Sequence, residues 1–204
     1  MLSLRFYKET ILTKSILLAV ILAAFAGVAW GTEADSFTPN TYTKFGWETQ
    51  DGLNGASDAQ TYSVTLGKQI DPNVSAELYA RLKDRDVGAN DTRVEAAVIS
   101  SDTITGPLDG YLRLGVGQKF IHDSDNFGYW NVEPGLKLSL TDSLNVSAGI
   151  RWRDAWDYDN EWDRTYRYGA TYSFTDSLSV SAGYKQKRGD SEYNSYTLSS
   201  QFRF

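Results

Sequence analysis

The chain has 204 residues with 20 basic and 26 acidic side chains, and its formal net charge is −6. It contains no cysteine, which excludes disulfide bonds, thiolate metal sites and a cysteine-linked lipid anchor. The mean hydropathy of −0.40 resembles that of a soluble protein. A transmembrane β-barrel gives a similar average, because only every second residue of its strands is apolar.

The first residues have the pattern of a secretory signal peptide. Three basic residues (Arg5, Lys8 and Lys14) precede an apolar run over 16–30, and small residues follow it. We expect cleavage after Gly31, with Ala34 as the alternative site; a retained anchor helix is the other interpretation. The mature chain would keep 17 basic and 25 acidic residues, a net charge of −8. Residues 32–39 would form a periplasmic tail, and 40–204 the folded domain.

The remainder of the chain alternates apolar and polar residues with a period of two, which predicts β-strands. Ten strands are expected, at 40–50, 60–70, 74–84, 92–101, 110–121, 128–140, 144–154, 164–174, 178–188 and 195–204. Mostly short turns alternate with longer acidic connections. Strands of about ten residues with this alternation are typical of an antiparallel up-and-down transmembrane β-barrel. A secreted β-sandwich is the alternative fold.

One hairpin recurs in the sequence. Residues 138–153 and 172–187 share a Thr-Asp-Ser turn followed by alternating residues, and 70–83 is a fainter copy. When the copies are aligned on the turn, a pair of basic residues falls at the same height on the same face in each. The pairs are Arg81/Lys83, Arg151/Arg153 and Lys185/Lys187.

The aromatic residues of the apolar face separate into two groups. Trp47, Tyr62, Trp130, Trp152, Tyr166 and Tyr196 fall near the loop ends of their strands, and Phe174, Phe202 and Phe204 fall near the turn ends. Two aromatic girdles around an aliphatic band indicate that this face meets lipid. An even number of strands places both termini on the turn side, which would be the periplasm.

The C-terminal segment, Ser195-Tyr-Thr-Leu-Ser-Ser-Gln-Phe-Arg-Phe204, resembles the terminal signature of Gram-negative outer-membrane proteins. That resemblance implies recognition by the barrel-assembly machinery, an outer-membrane location, and contact with outer-membrane lipid and lipopolysaccharide. Tyr129-Trp-Asn-Val-Glu-Pro-Gly-Leu-Lys137, the basic strand after it and the Arg/Tyr-rich strand at 164–172 resemble the oligogalacturonate-specific monomeric porins. This resemblance implies a monomeric channel for acidic oligosaccharides. Those porins have twelve strands, so twelve is the alternative count.

Thirteen of the 17 basic residues of the mature chain fall on the polar face, together with only Glu48, Glu77, Glu95 and Glu133. The eleven candidate lumen cations are Lys44, Arg81, Lys83, Arg93, Arg113, Lys119, Arg151, Arg153, Arg167, Lys185 and Lys187, and Lys137 and Arg203 complete the set. Four of them (Arg81, Lys119, Arg151 and Lys185) are expected to form a ring or track at one level. An excess of nine cations cannot be paired internally, so water or an anion must reach them.

The sequence therefore predicts an outer-membrane channel for small anionic solutes, most plausibly acidic oligosaccharides, because rings of arginine and lysine favour anions. Tyr79, Tyr111 and Tyr129 on the polar face are candidates for stacking on sugar rings, or else hydrogen-bonded wall residues. A non-conducting structural or surface-interaction barrel is the second hypothesis. We expect no cofactor, no nucleic-acid partner and no enzymatic activity.

Two smaller motifs are weaker candidates for chemistry. His122 and Ser124 have the His-x-Ser spacing of lipid A deacylase barrels, but Asp125 stands where that pattern has asparagine. The omptin Asp-x-His pair is not found. The acidic connection 157–163 could be a calcium loop, yet Trp162 occupies the position where such a loop needs glycine.

Overall fold

The fold of the chain is a closed barrel of ten antiparallel β-strands. The computed structural model describes residues 41–53, 58–86, 88–122, 124–156, 161–189 and 192–204, so the expected signal peptide and periplasmic tail lie outside the described residues. The strands are β1 Thr41–Gly52, β2 Ala59–Asp71, β3 Val74–Arg85, β4 Asp91–Thr105, β5 Leu108–Ile121, β6 Phe127–Ser139, β7 Leu144–Ala155, β8 Asp163–Ser173, β9 Leu178–Gly189 and β10 Tyr193–Arg203. The predicted count of ten and the antiparallel barrel are confirmed. In the described part of the chain, no helix has the length and apolar character needed to cross a membrane.

Each strand pairs with its neighbours in sequence, and β1 closes the barrel by pairing with β10. The closing seam runs from Tyr42 opposite Arg203 to Gly52 opposite Tyr193. Closure leaves no strand edge exposed, which is the condition for a sheet to lie in lipid. The chain enters β1 and leaves β10 at the same end of the barrel, where the short turns lie.

The repeated Thr-Asp-Ser segments form two turns with the same hydrogen bonds. The Leu144 backbone N–H donates to Thr141 Oγ1 at 3.0 Å, and the Leu178 N–H donates to Thr175 Oγ1, also at 3.0 Å. The threonine hydroxyl thus satisfies a backbone donor that the tight connection would leave unpaired. In the β4–β5 turn, Gly106 has a φ of 48°, a backbone conformation that glycine adopts without steric cost.

The inner face of the barrel is polar and the outer face is apolar, the reverse of a soluble protein. Among the described residues, nineteen polar or charged side chains are buried but only seven hydrophobic ones are. The outward face instead exposes large apolar side chains over the whole barrel, including Leu78, Val98, Leu114, Leu136, Leu198, Trp47, Trp130, Trp152, Tyr196, Phe174 and Phe204. A sandwich would bury these side chains in a dry core, so the alternative fold is wrong. The outward band, with aromatics toward both ends, is the surface of a transmembrane barrel.

Tyrosine rings inside the barrel lie directly over glycines of neighbouring strands. The ring of Tyr111 on β5 covers Gly135 on β6 and reaches Gly149 on β7, and its hydroxyl donates to Glu133 at 3.1 Å. Tyr42 covers Gly67 and Tyr129 covers Gly117 in the same way. A glycine at each position leaves room for the ring to lie close against the wall.

The variant Gly135→Ala is expected to destabilise the barrel by about 1–3 kcal/mol, the usual cost of overpacking a close contact. The added Cβ would lie 2.3 Å from Tyr111 Cζ, so the ring must move and release Glu133. Urea unfolding in lipid vesicles measures the change. Gly169→Ala is the matched control, because the nearest atoms to its Cβ would be Ser147 Oγ at 3.2 Å and the Ala182 carbonyl oxygen at 3.5 Å. Equal stability of the two variants would contradict the expected packing role.

Candidate lumen site

The inside of the barrel contains a polar cavity of about 370 Å³. Eight basic residues (Lys44, Arg81, Arg93, Arg113, Arg151, Arg153, Arg167 and Lys185) and five acidic residues (Glu48, Glu77, Glu95, Glu133 and Asp163) line this cavity. All eight are predicted lumen cations. The lining therefore carries an excess of three positive charges among the described residues.

The other three predicted cations lie toward the loop end of the barrel, buried but outside the cavity lining. Lys83 and Lys187 place their ammonium groups 4.8 Å and 5.6 Å from the centre of the Tyr193 ring, and Lys119 lies 4.8 Å from that of Phe127. Lys119 also pairs with Glu161 at 3.3 Å. Lys137 and Arg203, on the same face near the turn end, are exposed.

Glu133 is the centre of an ion-pair group in the middle of the cavity. Its Oε2 accepts hydrogen bonds from Arg151 Nε at 2.7 Å and from Arg167 Nη1 at 2.6 Å. Arg151 is on the neighbouring strand β7, but Arg167 is one strand further, on β8. The carboxylate therefore ties three strands together and orients both guanidinium groups along the wall.

Two further groups span non-adjacent strands. Arg113 on β5 pairs with Glu77 on β3 at 3.4 Å and also with Glu95 on β4. Lys185 on β9 pairs with Glu48 on β1 at 2.6 Å, across β10. Several short ion pairs thus link strands that are not neighbours, along the wall of the lumen.

At the loop end, three neighbouring strands bring their cations side by side. Arg81, Arg93 and Lys119 are in direct cross-strand register on β3, β4 and β5. Asp91 compensates this row: its carboxylate lies 2.9 Å from Arg81, 2.8 Å from Arg85 and 3.6 Å from Arg93, and its side chain is fully buried.

The sequence-based account missed Asp91 and Asp163, which were assigned to the acidic loops. Asp163 pairs with Arg153 and, at 3.5 Å, with Lys187. The odd-numbered residues of both strands face the lumen, and Asp91 and Asp163 have odd numbers at the starts of β4 and β8. Extending the alternation by one residue toward the loop would have placed both carboxylates inside the barrel. The cavity excess is three rather than the expected nine because five of the thirteen cations lie outside the lining and because Asp163 adds a carboxylate to it. Those five are Lys83, Lys119, Lys137, Lys187 and Arg203.

The expected ring of four cations consists of ion-paired residues. Arg81 pairs with Asp91, Lys119 with Glu161, Arg151 with Glu133, and Lys185 with Glu48. Each cation is therefore partly neutralised by its own counter-ion. Repulsion between neighbours, which the sequence argument invoked, is correspondingly reduced.

Lys44 differs from these four residues. It lines the cavity on β1, and no carboxylate of the described chain lies within 4 Å of its ammonium group. The charge of Arg167, on β8, acts on it across the lumen. Arg167 donates to Glu133 through Nη1 only, and 31% of its side chain is exposed. Among the described residues, Lys44 is therefore the lining cation without an ion-pair partner, and Arg167 is a paired but partly exposed one.

Tyr129 lies between two guanidinium groups near the loop end. Arg93 and Arg153 approach its ring at 5.7 Å and 5.3 Å, and its hydroxyl donates to Glu95 at 3.0 Å. The ring is fully buried, so it is a hydrogen-bonded wall residue rather than a sugar platform. The Nε atoms of Arg81, Arg93 and Arg153 have no hydrogen-bond acceptor in the described residues.

The two weaker candidate motifs lie in connections at the loop end. His122 and Ser124 are exposed just beyond β5, and the Ser124 N–H donates to the Ile121 carbonyl at 3.4 Å. Most of the acidic connection 157–163 lies outside the described residues. Of its described members, Glu161 and Asp163 are paired with lysine and arginine. Within the described ranges, no cluster of three or more potential metal-ligating side chains occurs.

No protein-family model and no curated protein sequence matches this chain. Among solved structures, the fold is similar to the KdgM porin (12% identity over 80% of this chain and 99% of that chain, TM-score 0.46). It is also similar to the KdgM porin in complex with disordered oligogalacturonate (11%, 80% and 99%, TM-score 0.49) and to the NanC porin (12%, 80% and 100%, TM-score 0.47). The resemblance to the oligogalacturonate-specific porins, stated above from the sequence, is thus confirmed as a similarity of fold. The barrel assignment itself comes from the strand pairing of this chain.

Proposed function

We propose that the protein is an outer-membrane channel for small anionic solutes. The observation that carries this proposal is the cavity lining, in which eight basic side chains face five acidic ones. Charge in the wall of a narrow pore sets its ion selectivity, and a basic wall favours anions. Lys44 contributes to this positive excess most directly, because no carboxylate of the described chain lies within 4 Å of it.

The solute class follows from the chemistry of the donors. Guanidinium groups offer planar forks that match carboxylates, and arginine supplies six of the eight cavity cations. A cavity of about 370 Å³ suits a slender solute that carries carboxylates. An acidic oligosaccharide passing lengthwise is the class we propose, with single sugar acids as its smallest members.

A non-conducting structural barrel is the second candidate. The ion pairs that cross between non-adjacent strands favour it, because Arg113–Glu77, Arg167–Glu133 and Lys185–Glu48 each restrict the lumen. The two functions differ in whether ions pass, so electrical recording distinguishes them directly.

Purified protein in planar bilayers is expected to give discrete current steps with a reversal potential that indicates anion selectivity. Lys44→Glu should lower the anion-to-cation permeability ratio by about three- to tenfold, because one charge is reversed within a few ångströms of the path. Lys44 suits this test because no carboxylate of the described residues lies within 4 Å of it, so the substitution breaks no ion pair there. Lys68→Glu makes the same charge change on the outward face near the turns and should leave the ratio unchanged.

Membranes that stay silent would support the structural barrel and reject the channel. Current steps with the same permeability ratio in wild type and Lys44→Glu would show that ions do not pass this cavity. Uptake of radiolabelled galacturonate oligomers into protein-containing vesicles, compared with neutral oligomers of equal length, then tests the solute class.

A further inference from the structure

The outward face of the barrel carries a second basic feature, separate from the lumen. Arg164 on β8 and Arg188 on β9 are direct cross-strand partners near the loop end. Both have even numbers on strands whose odd-numbered residues Arg167 and Lys185 line the cavity, so their side chains point away from it. Arg164 is exposed and Arg188 is half-buried.

Two cations placed directly opposite each other on one face of a sheet repel, and such a pair destabilises the sheet unless an anion lies between them. No carboxylate of the described chain lies within 4 Å of either guanidinium group. The Arg164 guanidinium lies 5.4 Å from the Tyr166 ring centre, and Arg188 Nη1 donates to the Lys187 carbonyl at 2.7 Å. Most of their N–H donors therefore have no acceptor among the described residues.

The surroundings place this pair at the boundary between lipid and water. Trp152, the cross-strand neighbour of Arg164 on β7, is exposed, and so is Trp162 just before β8. Exposed tryptophans at the end of an apolar band mark the depth of the lipid headgroups. In a membrane, lipid headgroup phosphates are the anions available at this depth.

We infer that Arg164 and Arg188 form a binding site for the phosphate of a lipid in the leaflet at the loop end. Guanidinium forks bind phosphate oxygens in a bidentate manner, and two forks at adjacent positions can hold one phosphate between them. In an outer membrane with its turns in the periplasm, that leaflet contains lipopolysaccharide, whose lipid portion is phosphorylated. The inference requires the barrel to be in a membrane but does not depend on conduction.

The test measures binding of purified bisphosphorylated lipid A to the full-length mature protein in a non-ionic detergent, by native mass spectrometry. The double variant Arg164→Gln/Arg188→Gln is expected to bind about 30-fold more weakly, since a basic residue near an anionic lipid surface contributes about a fivefold change in affinity. Lys68→Gln, which removes an outward cation near the turns, should bind like the wild type. Dephosphorylated lipid A should bind wild type and double variant equally.

A second measurement separates binding from folding. In phosphate-free detergent, the double variant should unfold at the same temperature as the wild type or higher, because the repulsion between the two arginines is removed. Equal affinity of wild type and double variant for the phosphorylated lipid would overturn the inference. Inorganic phosphate competing at the same concentration as the lipid would also overturn it, since the site would then recognise a free anion rather than a headgroup.

Discussion

The variant Asp91→Asn is expected to lose about 3 kcal/mol of unfolding free energy, toward the lower end of the range for breaking a buried ion pair. The fully buried carboxylate of Asp91 contacts Arg81, Arg85 and Arg93. An asparagine keeps the shape but removes the charge, and its amide N–H groups face guanidinium donors. Arg85 keeps partial contact with water, which limits the loss.

Equilibrium unfolding in urea, in vesicles of one lipid composition, measures this loss. Asp176→Asn, in the exposed β8–β9 turn, is the matched control and should change the free energy by less than about 0.5 kcal/mol. If Asp91→Asn is as stable as this control, the three arginines are adequately solvated without Asp91. The proposed role of that carboxylate as their counter-ion would then be wrong.

Glu133→Gln is expected to change both the ion selectivity and the conductance of the channel. It removes a negative charge from the cavity wall and weakens the hydrogen bonds that Arg151 Nε and Arg167 Nη1 donate to this side chain, because the remaining acceptor is a neutral carbonyl oxygen. The positive excess of the lining rises from three to four, and the bridge from β6 to β8 becomes weaker. The anion-to-cation permeability ratio should therefore rise about three- to tenfold, and the single-channel conductance should rise with it.

Recordings under a salt gradient report both quantities in one experiment. Asp142→Asn, in the exposed β6–β7 turn, removes the same charge away from the cavity and serves as the control. A fall in the ratio, or no change relative to Asp142→Asn, would mean that Glu133 does not face the ion path. The effect should shrink at high salt, because mobile ions screen charges in a wetted lumen.

The strands and their two faces could be predicted from the sequence because both follow from a period of two. The predicted boundaries differ from the observed ones by at most four residues, at the end of β4. Within a strand, odd-numbered and even-numbered residues point to opposite faces, so the face of each side chain follows from its number. Lys44 and Arg167 could therefore be placed inside the barrel without knowledge of the pairing.

The ion pairs could not be predicted, because they depend on strand register and on contacts between strands that are not neighbours. Glu133 meets Arg167 two strands away, and Lys185 meets Glu48 across β10. Neither pair has a spacing that sequence can specify, since the separations depend on connection length and barrel closure. Asp91 and Asp163 begin their strands, and strand ends are where alternation predicts least.

The pairing of β1 with β10 has a consequence for the order in which the barrel is built. Hairpins such as β6–β7 and β8–β9 join residues close in sequence, and their Thr141 and Thr175 turns fix the register locally. The seam joins Tyr42 to Arg203, almost the full span of the barrel, so the chain entropy lost in forming it is the largest of any strand pair. We expect the seam to form last. β10 is then already paired with β9, and its other edge, which faces β1, stays unpaired until the barrel closes.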